Sequence, residues 1–577
     1  MSTVPYAYTG STKNPKRSLW ERSSSAEVTG DRGDFSEWSE KEVTNIKGKQ
    51  AAGLLGPRIV IIGAGMSGLL MAIKLKEAGL DNFILCEKGT DVGGVWRDNT
   101  YPGLKCDIPA HMYTYSFESN PSYKQRFAAG SEIRSYLERV AVKFDLRSKI
   151  RFGKSIESAV FDEPNGRWLL SSQDGETLVA DIVVWAGGIL HQPKLPDITG
   201  REGFAGHSFH TARWEHRINL RDQRVGIIGT GSTGVQVVAA IASDTKHLTV
   251  FQRTPHWIFP LPNRNYNLAS QEHVRHWPGY AKFLRWSYTM LFQWTFARAV
   301  TGNAMLQKLM QWQSQYFLNR KVKDRVLLKR LTPDYKAGCK RMILARGYYE
   351  ALQRSNVTLV DSSIQRIVPN GVVTCDGTHH ELDVLIYATG FHAHQYMRPM
   401  KVIGVEGKSL DDTWSESVFA HRSVALPGFP NFFMLLGPQS PIGNFSAISV
   451  AETQVKYLMH LIEEIRSGRC DLINPKQEIT EVLDRKITEG MSKTVWVSGC
   501  NSWYLDDKGK TTMWPWTFER FRAELKRPQL DEFRMTQKRS KADSNSLLND
   551  PHIQTMLTRW RANMDARHEV DHTTRPK

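Results

Sequence analysis

The sequence predicts an α/β protein built on two Rossmann-like dinucleotide-binding domains with a helical insertion. Three observations predict it. Residues 58–79 read RIVIIGAGMSGLLMAIKLKEAG, a β-branched apolar run that meets a glycine turn and then a helical pattern carried by Leu69, Leu70, Ile73 and Leu75. From Arg224 the chain repeats the design as RVGIIGTGSTGVQVVAAIA, 166 residues further on. Between residues 265 and 345 lies an aromatic-rich stretch that reads as a mostly helical insertion.

Composition bounds the remaining possibilities. A chain of 577 residues is too long for one core, and 41% hydrophobic with 23% charged residues excludes wholesale disorder and a fibrous repeat. The net charge of +17 is scattered, and its densest clusters, Lys321 to Lys323 and Lys329-Arg330, are interrupted. It reads as a basic surface on a protein that does not bind nucleic acid, since no recognition motif accompanies it. The six cysteines, at 86, 106, 339, 375, 470 and 500, form no CxxC, no CxxxxC and no zinc-type pairing. That pattern suits buried or free thiols in a reducing, cytoplasmic setting, with no bound metal. Residues 1–50 lack the apolar stretch of a secretion signal. The most membrane-like run, Trp286 to Ala297, has 12 uncharged residues. Spanning takes about 20, so it is expected to be a packed or surface-lying helix.

Each glycine loop is in the context that gives it meaning. Gly63, Gly65 and Gly68 follow a strand and open a helix: the first permits the turn, the second admits a pyrophosphate to the backbone, and the third lets helix pack on strand. The helix N-terminus then points at the phosphates. Glu87, 24 residues after Gly63, ends the next apolar run, where a carboxylate accepts hydrogen bonds from a ribose diol. The second loop has Gly229, Gly231 and Gly234, and the same offset of 24 lands on Arg253. A cation there pairs with a 2′-phosphate. The first site therefore suits an unphosphorylated ribose, and the second suits NADPH, with Thr230, Ser232, Thr233, Gln236 and Thr254 as further contacts. Two short strands that end in glycine, DIVVWAGG (181–188) and DVLIYATGF (383–391), mark where the chain leaves one nucleotide domain for the other.

The expected organisation is an N-terminal extension (1–50), the first part of one dinucleotide-binding domain (51–200), an NADP-binding domain (201–384) with the insertion at about 265–345, the second part of the first domain (385–535), and a polar tail (536–577). With two nucleotide sites and no redox cysteine pair, a disulfide reductase is excluded and molecular oxygen is the obvious electron acceptor.

At Phe204-x-Gly206-x-x-x-His210-x-x-x-Trp214, just before the second glycine loop, the sequence resembles the fingerprint of type I Baeyer–Villiger monooxygenases. That family usually has Pro or Asp next, where this chain has Glu215. The related N- and S-oxygenases tend to carry Tyr or Phe in place of Trp214. The likeness runs over roughly residues 55–520. The segment DVGGVWRDNTYPGLKCDIPAHMYTYSF (91–117) resembles the family's flavin-covering segment, which implies that Gly94, Trp96, Asp107 and Tyr113 lie near the flavin. GCKRMILARGYYEAL (338–352) is similar to the segment of the active-site arginine; it implies Arg341 as that residue and Lys340 as a second 2′-phosphate contact. LLGPQSPIGN (435–444) resembles a substrate-side loop, and CNSWYLDDKGK (500–510) the mobile loop whose tryptophan, here Trp503, closes over the nicotinamide nucleotide.

The resemblance implies that the first domain binds FAD and that 385–535 carries substrate and control loops. It implies FAD reduced by NADPH, a C4a-peroxyflavin formed with O2, and insertion of oxygen beside a ketone carbonyl to give an ester or lactone. In that scheme Arg341 stabilises developing negative charge, Asp107 orients it, and Phe204, Gly206, His210 and Trp214 serve domain motion. Two alternatives stay open: an N/S-oxygenating flavin monooxygenase, and an uncoupled NADPH oxidase or redox sensor. Trp286, Trp294 and Trp312 are expected either to line an apolar pocket for a cyclic or long-chain ketone or to belong to the core.

Overall fold

A strand covered on both faces is apolar along its length, and the two central strands, IVII from Ile59 and RVGII from Arg224, are buried at every position but Arg224. The computed structural model describes residues 56–506 and 508–537. The expected N-terminal extension and nearly all of the expected tail lie outside the described residues. In chain order, β1 (Ile59–Ile62) leads through the first glycine loop into α1 (Met66–Glu77) and β2 (Phe83–Glu87), followed by β3 (Ile150–Phe152) and β4 (Ile182–Trp185). β5 (His207–His210) precedes β6 (Arg224–Ile228), α2 (Ser232–Ile241) and β7 (His247–Phe251). The insertion contributes α3 (Leu268–His276), α4 (Pro278–Phe292) and α5 (Ala304–Lys321). The chain then forms β8 (Val357–Val360), β9 (Val384–Tyr387), β10 (Phe432–Met434) and α6 (Ala447–Arg466).

The first sheet has the order β10-β4-β1-β2-β3 and the second β8-β7-β6-β9-β5. Every pairing in both is parallel. Each glycine-loop strand thus lies at the centre of its sheet. The strands singled out by their terminal glycines are its neighbours, with Ile62 opposite Trp185 and Ile228 opposite Tyr387. After β4 the chain crosses to the second sheet, and after β9 it returns to the first, so both crossings run beside the glycine loops.

Packing follows the sheets. Val60 and Val183 join Trp168 and Phe432 in one buried cluster. Val225, Ile227 and Ile386 join Val237 of α2 and Leu318 of α5 in another. Fully burying a residue of this size contributes about 1.5–3 kcal/mol, so these central strands set the frame on which the loops sit.

The insertion departs from expectation. α4 runs on through a π-turn at Gln293–Ala297 and a short continuation, Arg298–Val300, before α5. Trp286, Trp294 and Trp312 are outside the core and do not line the cleft that holds the glycine loops: each is more than half exposed. The faces turned inward carry Gln293 on the π-turn, and Gln307, Met310, Ser314 and Leu318 on α5. Which side of a helix is buried depends on the surface it lands on, and aromatic content alone does not report that.

Candidate active site

The two glycine loops are nearly superimposable in their constraints. Gly63 has φ +107°, and a Cβ there would lie 2.7 Å from the Ala186 carbonyl oxygen. Gly229 has φ +105°, with the Ala388 carbonyl oxygen 2.6 Å from the same position. A Cβ on Gly68 or Gly234 would strike the carbonyl oxygen of Gly63 or Gly229 at 1.9 and 2.1 Å. By contrast, nothing lies within 4 Å of a Cβ on Gly231, and Gly65 meets only the backbone of Gly94, at 3.6 Å. Neither α1 nor α2 has a side-chain cap or an acid in its first turn. Their open N-terminal N–H groups, with the positive ends of two helix dipoles, line one cleft of about 1970 Å³. The arrangement fits two pyrophosphates.

Around the first loop, Glu87 accepts hydrogen bonds from the Ala64 and Gly89 amides, both at 2.8 Å, and from Arg97 Nη1 at 2.8 Å. Sequence reasoning gives this carboxylate to a ribose; the structure shows it tying the loop to Arg97. Around the second loop, Arg253 is exposed and Lys340 lies close enough to feel its charge. Burial first, and then Arg253, lowers the Lys340 pKa. Two cations kept near each other make a site for a dianion. The Thr230 hydroxyl donates to the Thr254 carbonyl at 3.2 Å, which pins the loop to the end of β7. Ser232 and Thr233 line the cleft beside Gly231. Gln236 bridges the two sheets' loops: its Oε1 accepts from the Tyr101 hydroxyl at 3.1 Å, and its Nε2 donates to the Lys105 carbonyl at 3.1 Å.

Between the loops, Arg341 meets Asp107 in a bidentate pair, Nε to Oδ2 at 2.5 Å and Nη2 to Oδ1 at 3.0 Å. Desolvation works against the guanidinium charge, but the Asp107 carboxylate outweighs it, so the Arg341 pKa is raised. Tyr504, which sequence reasoning missed although it adjoins Trp503, lies beside Arg341; burial pushes its pKa up to about 12 although the Arg341 charge lowers it. The Trp503 and Tyr504 rings lie 4.5 Å apart, and His394 Nε2 is 2.8 Å from the Trp503 carbonyl. Nothing in the sequence around His394 signals that contact. On the far side, Trp96 Nε1 donates to the Tyr113 hydroxyl at 3.3 Å, with the rings edge to face. Gly94, Trp96, Asp107, Tyr113, Lys340, Arg341 and Trp503 all line the cleft.

The fingerprint residues lie outside the cleft wall. Phe204 packs beside the second sheet, and a Cβ on Gly206 would sit 2.3 Å from the Asp383 carbonyl oxygen. His210 ends β5 opposite Tyr387 and packs edge-on against Phe391, where the chain crosses back to the first sheet. Burial lowers its pKa to about 4, so it is neutral. Trp214 meets Phe209 edge to face, and Glu215 is exposed.

The cysteines require a correction. Cys339 and Cys500 form a disulfide, with Cα atoms 6.2 Å apart across 161 residues of sequence. Cys86, Cys106 and Cys470 are buried free thiols, and Cys375 is an exposed one. No spacing motif could have shown the pair, because the two sulfurs meet only where the arginine segment and the Trp503 loop converge.

Among the described residues no cluster of three or more His, Cys, Asp or Glu is placed to hold a metal ion, and no helix is long and apolar enough to cross a membrane. Residues 60–282 match a family model described as pyridine nucleotide-disulphide oxidoreductase. An uncharacterized monooxygenase of Mycobacterium tuberculosis is 42% identical over 83% of this chain and 96% of its own length. A Baeyer–Villiger monooxygenase of Streptomyces coelicolor is 37% identical over 83% of this chain and 92% of its length. Among solved structures, the enzyme OTEMO in complex with FAD and NADP superimposes with a TM-score of 0.75 at 26% identity, over 83% of this chain and 100% of that one. With its two parallel sheets, paired glycine loops and this degree of likeness, the chain belongs to the Baeyer–Villiger monooxygenase family of flavin-dependent monooxygenases.

Proposed function

We propose that the protein binds FAD at the first glycine loop and NADPH at the second, and uses O2 to convert apolar cyclic or long-chain ketones to esters or lactones. The observation that carries this reading is the Arg341–Asp107 pair, held between two uncapped helix N-termini in one cleft. The cleft accommodates both groups: open backbone at Gly65 and Gly231 admits the pyrophosphates, and Arg253 with Lys340 supplies charge for a 2′-phosphate.

Reduced FAD, when bound, supplies the activation of oxygen. The protein's share is electrostatic and steric. Arginine keeps its proton at any working pH, so Arg341 is a fixed cation for negative charge that develops on oxygen. Two hydrogen bonds that Arg341 donates to Asp107 hold the guanidinium plane, and Tyr504 lies beside it. Trp503, held at its carbonyl by His394, covers the nucleotide side and keeps water out.

The test is product analysis with NADPH and a ketone, comparing the wild-type enzyme with Arg341→Ala. Ester or lactone from the wild type alone supports the reading. Oxidation of a thioether or amine with no ester from any ketone moves the assignment to an N/S-oxygenase. NADPH consumption that yields only hydrogen peroxide moves it to an oxidase.

A further inference from the structure

The helical insertion leaves its tryptophans outside while burying polar side chains beside Met310 and Leu318. Along α4 and the π-turn, Phe283, Trp286 and Trp294 are each more than half exposed, while Gln293 is buried. Their spacing places them on one stripe of a continuous helix. Along α5, Met305, Trp312 and Tyr316 form a second exposed stripe, with Trp312 62% accessible, while Gln307 and Ser314 face inward. Two neighbouring helices that bury an inner face and still leave this many large aromatic and apolar side chains outside present a patch arranged for a surrounding other than water.

The charge on these helices says which. From Pro278 to Lys321 the chain has six basic residues and no acid. Arg285 is turned inward, ion-paired to Glu452 at 2.8 Å and bonded to the backbone at Met112 and Thr114. Arg298 lies over the Trp294 ring, 3.4 Å from its centroid. Lys282, Lys308 and Arg320 are exposed and have no ion-pair partner among the described residues. A second copy of this chain would bring the same uncompensated charge against itself. Protein interfaces, moreover, are generally depleted in lysine. Exposed tryptophan and tyrosine among basic residues, without acids, suits the headgroup layer of an anionic bilayer, where aromatic rings sit at the apolar boundary and long basic side chains reach phosphate.

We propose that α4, the π-turn and α5 form a docking surface for anionic lipid, on which the enzyme lies peripherally. Phe283, Trp286, Trp294, Met305, Trp312 and Tyr316 enter the headgroup boundary, and Lys282, Lys308 and Arg320 meet lipid phosphates. The helices are too short and too polar on their inner faces to cross the bilayer. Arg285 ties α4 to the segment immediately before Tyr113, a cleft residue. If the proposed activity holds, the docked face lies close to the site that takes an apolar ketone.

The experiment is co-sedimentation of the full-length flavin-loaded protein with phosphatidylcholine vesicles, with and without about one-quarter phosphatidylglycerol. Binding is expected to the anionic vesicles and to weaken steeply with salt. The triple variant Trp286→Ala/Trp294→Ala/Trp312→Ala should bind at least about tenfold less, and so should Lys282→Glu/Lys308→Glu/Arg320→Glu. Flavin content and thermal midpoint report that the variants are folded; all six positions are solvent-facing and outside the cleft. A single-site set (Trp312→Ala with Lys308→Glu) serves if either triple variant misfolds, with a partial loss expected. Equal binding to both vesicle types, no binding to either, or unchanged binding by the variants overturns the proposal. So does a wild-type oligomer that ignores vesicles and dissociates on tryptophan removal, which would make the face a self-interface. Vesicle binding is read without any turnover, so its failure is distinct from failure of the proposed reaction.

Discussion

The Arg341 guanidinium and the Asp107 carboxylate, 234 residues apart in sequence, are joined by two hydrogen bonds of 2.5 and 3.0 Å in the cleft between the glycine loops. A fork-to-fork pair fixes both the position and the plane of the cation. Arg341→Ala should therefore leave FAD bound and reducible by NADPH while ester formation falls about 100- to 1000-fold. Arg341→Lys keeps the charge but loses the fork, and should recover little. Stopped-flow reduction alongside product quantification checks both, and undiminished ester from Arg341→Ala would refute the assigned role.

The proposed preference for NADPH rests on Arg253 and Lys340. Two neighbouring cations gain most from a doubly charged partner, so Arg253→Ala should cut the preference for NADPH over NADH by at least about tenfold, chiefly through KM. The ratio of kcat/KM for the two nucleotides measures it. An unchanged ratio means that the 2′-phosphate is bound elsewhere.

The Cys339–Cys500 bond tethers the residue before Lys340 and Arg341 to the start of the loop that carries Trp503. Opening it frees the loop from one of its anchors and restores its conformational freedom. Hydrogen–deuterium exchange over residues 500–510 should rise on reduction and in Cys500→Ser, with a higher KM for NADPH. Identical exchange in oxidised and reduced protein would show that the loop is held by its other contacts, such as His394 on the Trp503 carbonyl.

Acid sensitivity has a definite source. His421, Arg422 and Glu532 form a buried cluster, with Arg422 Nε 2.7 Å and His421 Nε2 3.1 Å from Glu532 Oε2. Burial opposes the Glu532 charge, but Arg422 and His421 prevail, and its pKa falls from 4.5 to about 2. A depressed carboxylate stabilises the fold above its unfolded pKa and loses that contribution as pH drops toward the folded value. His421, lowered mainly by burial, acts in the same direction. The folded state therefore loses the His421 contribution as pH falls below about 6.5 and the Glu532 contribution, on the order of 3 kcal/mol, below about pH 5. Glu532→Gln should flatten the fall of the thermal midpoint between about pH 5 and pH 3; a parallel shift of the whole curve would place the acid sensitivity elsewhere.

What the sequence determined by itself is local and periodic. β-Branched runs, glycine spacing and helical repeats fixed both strand–loop–helix units, because each depends on residues within a few positions of one another. The strands at 181–188 and 383–391 were legible for the same reason, and they prove to be the neighbours whose carbonyls press on Gly63 and Gly229. The contrast of Glu87 with Arg253 was readable as a fixed offset. Arg341 and Asp107 could be named only through a resemblance, since no spacing links residues so far apart. Only the tertiary structure decided that they pair, that Tyr504 stands beside them and His394 holds the Trp503 carbonyl, and that Cys339 meets Cys500 rather than remaining a free thiol. It also decided that the tryptophans of the insertion face outward. The physical reason is common to all four: a contact or an exposed face is set by what another part of the chain brings to it, and the residue's own neighbours in sequence carry no record of that.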